Sequence, residues 1–132
     1  MRIEKVDYPA DTYTGTYISL KYNQQIHRAY ISYYDATNHD LRLAYNPYPQ
    51  AHGICNGIVE NWICLTIDGD GLNGHSANDV GMHSSVDVST VAFIGVGISY
   101  YDKTLGALKY VIYACAFNCH LALETVDDPG MN

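Results

Sequence analysis

An all-β fold of two repeated four-stranded units is what the sequence predicts, on three observations. Ile31-Ser32-Tyr33-Tyr34-Asp35 and Ile98-Ser99-Tyr100-Tyr101-Asp102 are the same pentapeptide, and each is followed by a short turn and a second alternating run. Apolar and polar residues alternate with a period of two, and no stretch holds a helical period. The openings also recur: Val6-Asp7-Tyr8-Pro9 returns as Ile67-Asp68-Gly69-Asp70 and again as Val126-Asp127-Asp128-Pro129. Because a repeat dictates architecture, the expected division is one unit over residues 1–66, a second over 67–125, and the start of a third over 126–132.

The elements follow in order. The first strand of each unit is expected at residues 15–20 and 81–88, where Ile18 and Leu20 share one face, as do Val86 and Val88. The loop before it is longer in the second unit, where residues 72–78 form an insertion of the kind loops tolerate cheaply. The second strand covers residues 29–34 and 96–101, with Ile31 and Tyr33, and likewise Ile98 and Tyr100, on one side. Asp35 and Asp102 close these strands, because an Asp accepts from nearby backbone amides and starts a turn. The third strand covers residues 41–45 and 108–112, and its short connection demands an antiparallel hairpin. Pro47 and Pro49 make residues 46–50 a loop. A fourth strand is expected at residues 60–66, with Trp62, Cys64 and Thr66 aligned, and at 120–125, with Leu121, Leu123 and Thr125 aligned. Four short antiparallel strands, repeated, read as propeller-type blades. Two blades cannot close a ring and leave open edges, so oligomerisation is expected to complete them.

Composition narrows the partners. Formal net charge is -7 and only 16% of residues are charged, so a nucleic-acid backbone is not an expected partner. A hydrophobic share of 48% excludes a disordered chain, and no apolar run is long enough to span a bilayer. The first fifteen residues lack the apolar stretch of a signal peptide. The four cysteines allow three pairings, of which the local one, Cys55 with Cys64 and Cys115 with Cys119, is expected; a reduced, buried set is the alternative. Such staples, with a Tyr-rich and Lys-poor composition, point to the cell exterior.

The units resemble a family of bacterial and archaeal β-propeller-like tandem repeats. The family pattern runs Val-Asp-x-x-Gly-x-Val-Gly, then Ser-Leu/Ile-x-Val/Leu-Asp, then His-Ile-Ser-Tyr-Tyr-Asp, then Asp-Leu-Lys-Tyr-Ala. The nearest matches are residues 79–88, both Ile-Ser-Tyr-Tyr-Asp copies, Asp40-Leu41-Arg42-Leu43-Ala44-Tyr45 and Ala107-Leu108-Lys109-Tyr110. The likeness covers nearly the whole chain and departs from the pattern where Tyr30 and Gly97 stand for the usual His. It implies the blade fold, and also secretion and binding, without defining a function.

Candidate chemistry is sparse. Asp68, Asp70 and Asn73 lie on a glycine-rich acidic loop, and Asp79 returns at the end of the insertion; alternating oxygen ligands of this kind suit Ca²⁺. Cys115-Ala116-Phe117-Asn118-Cys119-His120 is similar to a haem c attachment sequence, but with three residues between the cysteines; a disulfide staple is the expected reading. The six histidines show no zinc spacing, and no nucleophile elbow or phosphate loop is present. Tyr48 and Trp62, near loops, are the candidate carbohydrate contacts. The expected role is therefore extracellular self-assembly, as ring or filament, without catalysis; the alternative is a multivalent lectin-like propeller.

Overall fold

The computed structural model describes residues 1, 3–46, 55, 62–89, 94–115 and 118–131. Among the described residues, eight strands form two four-stranded antiparallel sheets in simple sequential order. The first holds β1 (Thr14–Asn23), β2 (Arg28–Asp35), β3 (Asp40–Tyr45) and β4 (Ile63–Asp68). The second holds β5 (Val80–Val88), β6 (Ile94–Asp102), β7 (Ala107–Cys115) and β8 (Cys119–Asp127). A single 3-10 turn, Pro129–Met131, follows, and no α-helix occurs among the described residues. The expected start of the fourth strand at Glu60 lies outside them.

Cross-strand pairing makes the repeat visible residue by residue. Leu20 pairs with Ile31 as Val86 pairs with Ile98, and Thr16 with Tyr34 as Met82 with Tyr101. Both β1 and β5 slip register at the same two places, where Tyr17 and its equivalent His83 both have φ near +50° (51° and 54°). The turns match as well. Asp35 Oδ1 accepts from the amides of Thr37 and Asn38, and Asp102 Oδ1 accepts from the amide of Leu105. The Thr37 and Thr104 hydroxyls each accept from the backbone amide just ahead of the first strand, at Tyr13 and Asp79. These side-chain contacts satisfy turn amides that the ladders leave open.

The sheets stack, with β5 laid across β1, β2 and β3. The main core fills the junction: Tyr30, Leu41, Leu43 and Ile67 from the first sheet meet Val86, Val96, Ile98, Tyr100 and Val111 from the second. A smaller cluster of Tyr33, Ala44, Trp62 and Cys64 lies on the opposite side of the first sheet, packed by Val6 of the N-terminal segment. Each sheet therefore has a leading side, which carries Ser32 and Tyr34 or Ser99 and Tyr101, and a trailing side, which carries Ile31 and Tyr33 or Ile98 and Tyr100. In the junction, the leading side of the first sheet receives the trailing side of the second.

The last strand of each sheet ends later than expected. β4 runs through Asp68 and β8 through Asp127, so each acidic opening is the end of a last strand rather than the start of a new unit. Leu41 pairs with Asp68 and Leu108 with Asp127, each just before a register shift. Both disulfides are present: Cys55–Cys64 joins residues nine apart, and Cys115–Cys119 closes a four-residue separation between the paired ends of β7 and β8.

Candidate functional site

The junction sets the chemistry by which one sheet holds another. Its fixed point is the last residue of β4. Asp68 Oδ2 accepts from Tyr100 Oη at 2.8 Å and from Lys109 Nζ at 3.0 Å, so a carboxylate of the first sheet is gripped by two trailing-side residues of the second. Its other oxygen accepts from the amides of Gly69 and Ser76 and from the Ser76 hydroxyl. Asp102 stands 3.8 Å from the same ammonium. Burial alone raises the Asp68 carboxyl; the hydrogen bonds from Lys109 and Tyr100 outweigh it and hold the group below its ordinary value. Burial and then the neighbouring carboxylate drive the Tyr100 hydroxyl far up, so it serves only as a donor.

The same triad recurs on the trailing side of the first sheet. Tyr33 Oη donates to Asp7 Oδ2 at 2.6 Å, and Arg42 stands 3.6 Å from that oxygen. Here the carboxylate comes from the segment ahead of β1. The fit is poorer: Asp7 Oδ1 and Arg42 Nε are buried without hydrogen-bond partners, whereas both oxygens of Asp68 are satisfied. Burial, followed by the bond to Asp7, raises the Tyr33 hydroxyl. Neither triad was found by reading for motifs. The signal was present in the aligned openings, Asp7 with Asp68, and in the shared basic position, Arg42 with Lys109.

Backbone approach is the second feature of the junction. A Cβ placed on Gly81, at φ +107°, would come within 2.7 Å of Leu41 Cα. Glycine is required there twice over, by conformation and by space. The equivalent residue, Gly15, has φ +89° and nothing within 4 Å of the same position. The equivalent of Leu41, which is fully buried, is Leu108, which is 46% exposed. Around Leu108, Tyr101 and Ile112 are 37% and 44% exposed on the same leading side. At the other end, Ile18 and Leu20 are 62% and 61% exposed on the trailing side of the first sheet, beside a cavity of about 190 Å³ lined by Val6, Gly15, Ile31 and Tyr33. Both ends of the stack thus expose apolar residues whose equivalents are covered in the middle.

The expected metal set does not hold together. Asp68 is saturated by protein donors, one of them an ammonium. Asp70 Oδ1 accepts from the Leu72 amide and faces His75 Nδ1 at 2.6 Å. Asp79 accepts from Tyr34 Oη and lies beside His39 and Lys103. Asn73 stands exposed in the loop. Asp68, Asp70 and Asp79 each accept from protein donors, and among the described residues no group of three or more His, Cys, Asp or Glu side chains is placed to hold a metal ion.

Trp62 also corrects its expectation. Only 8% exposed, it donates from Nε1 to Glu4 Oε2 at 3.2 Å beneath the N-terminal segment, so its ring face is core and not a loop-edge platform. Tyr48 lies outside the described residues. Cys115 and Cys119 are joined to each other, which leaves no thiol in that sequence for haem attachment. Aromatic groups line up elsewhere: buried Tyr34 is followed by exposed Tyr17, His83 and Tyr101, with successive ring centroids 6.0, 4.6 and 6.5 Å apart. No helix among the described residues is long and apolar enough to cross a membrane. Compared with known proteins, the chain matches no family model, no curated protein and no solved structure.

Proposed function

We propose that the chain is a self-assembling, non-catalytic β-repeat protein of the cell exterior, whose sheets act as propeller-type blades completed by other copies. The leading side of one copy's second sheet takes the trailing side of the next copy's first sheet. A single observation carries this reading: the junction notch at Gly81 is filled by Leu41, while its equivalent at Gly15 is open and the equivalent leucine, Leu108, is exposed. The contact is heterologous, so it closes into a ring if the rotation permits and otherwise extends into a filament.

Charge supports the same docking. Lys21 of the first sheet lies 3.3 Å from Asp87 of the second. The two residues occupy equivalent positions, paired with Tyr30 and Gly97. The next junction would then place Asp87 against Lys21 of another copy, opposite charges again. Two disulfides are compatible with an extracellular setting. Light scattering and negative-stain microscopy test the reading. Rings or fibres that vanish with Leu108→Glu are expected, and a 14.7 kDa species at all micromolar concentrations would overturn it.

A carbohydrate-binding role has one observation in its favour. Tyr17, His83 and Tyr101 form an exposed row of rings, with Tyr17 and His83 at equivalent positions, and ring faces stack on sugars. A glycan array that reports binding lost on Tyr17→Ala would support this role; no binding to any glycan would remove it.

A further inference from the structure

We propose that Asp7 is a stand-in, and that assembly replaces it with Asp127 of a neighbouring copy. The inference rests on the head-to-tail reading above and names the contact that completes it.

Asp127 ends β8 as Asp68 ends β4, and it pairs with Leu108 as Asp68 pairs with Leu41. Within the chain, Asp68 reaches across a junction to a tyrosine and a basic residue, Tyr100 and Lys109. Tyr33 and Arg42 are the equivalent pair on the open trailing side. A neighbour docked in the geometry of the existing junction brings its Asp127, exposed on an isolated chain, onto this pair. The place is already taken by Asp7, held by Tyr33 Oη and facing Arg42.

Asp7 holds it poorly. It lies in a segment without strand structure, its Oδ1 is buried without a partner, and Arg42 Nε is likewise unpaired. Unsatisfied buried polar atoms cost free energy, so the self-contact is a weaker version of the inter-sheet contact it imitates. Val6 and Glu4 leave with it, uncovering Trp62 for the incoming sheet. The N-terminal segment thus protects the trailing side of a free copy and yields to a partner.

The test uses the full chain as wild type, Asp7→Asn, Asp127→Asn and the double variant, followed by sedimentation and by the emission of Trp62, the only tryptophan. Asp7→Asn is expected to tighten association and Asp127→Asn to weaken it, each by about tenfold or more, as for a desolvated interfacial charge pair. The double variant should fall between the two single variants, because it lacks both the contact that assembly forms and the one that assembly must break. Wild-type Trp62 emission should shift as copies associate, and that shift should be lost in Asp127→Asn; this readout stands even if Asp7→Asn folds badly. Association blocked by Leu108→Glu but indifferent to Asp127→Asn would overturn the exchange and leave the stacking reading intact. A wild-type chain and variants that all stay at the mass of one copy would overturn both.

Discussion

Leu41 and Leu108 hold the same place in the two sheets and have opposite surroundings. Leu41 is fully buried, pressed by the backbone of Gly81; Leu108 stands half open to solvent. Arg42 and Lys109, the next residues, differ in a related way. Lys109 grips a carboxylate whose oxygens are all satisfied, and Arg42 faces one that is not. The two sheets thus share a pattern of residues, and the structure packs only one of the two copies against another sheet.

The largest expected effect separates the two basic residues. Lys109→Ala leaves Asp68 buried without its cation and should cost about 3–5 kcal/mol in urea unfolding. Arg42→Ala, on the trailing side of the first sheet, should cost clearly less in the free chain. Equal losses would show that the two triads are equally formed and that Asp7 is no stand-in. The glycines come next. Gly15→Ala should cost only the conformational penalty of a left-handed residue, about 1–2 kcal/mol. Gly81→Ala adds a clash with the Leu41 backbone and should cost more; matching melting shifts would deny the close approach.

A smaller effect depends on pH. Asp40 occupies the place of Ala107, and burial, followed by the carboxylates of Asp35 and Asp70, pushes its pKa up to about 6. The folded state then holds a proton that the unfolded state has lost above its ordinary value of about 4. Stability from this group should fall as pH rises from about 4 to about 6. Asp68, held low, contributes its stability above the ordinary carboxylate value and loses it as pH falls through its folded pKa. Asp40→Asn should flatten the stability profile between those values and raise stability at pH 7. An unchanged profile would mean that Asp40 is ionised at little cost. The smallest effect should come from the exposed Lys21–Asp87 pair, where Asp87→Ala leaves the melting temperature of the free chain unchanged.

The strands were legible in the sequence because period-two alternation and the repeated Ile-Ser-Tyr-Tyr-Asp leave little choice of face. Local disulfide pairing was legible from spacing. The candidate site was not. Asp68 reads as a metal ligand when seen beside Asp70 and Asn73, because sequence shows neighbours along the chain and not the Lys109 ammonium across the sheets. Trp62 reads as a loop aromatic for the same reason: Val6 and Glu4, which cover it, come from the far end of the unit. Tyr34 and Tyr101 are identical in sequence context, yet only one is buried, since burial here is set by the neighbouring sheet.

Complementarity of the two ends is tested most directly by mixing two blocked variants. Leu108→Glu closes the leading end, and Leu20→Glu closes the trailing end. Each alone should sediment as a single copy of 14.7 kDa. Mixed in equal amounts, they keep one leading and one trailing end open between them, and should form a one-to-one dimer of twice that mass. Variants that still associate separately, or a mixture that stays at the mass of one copy, would contradict head-to-tail stacking.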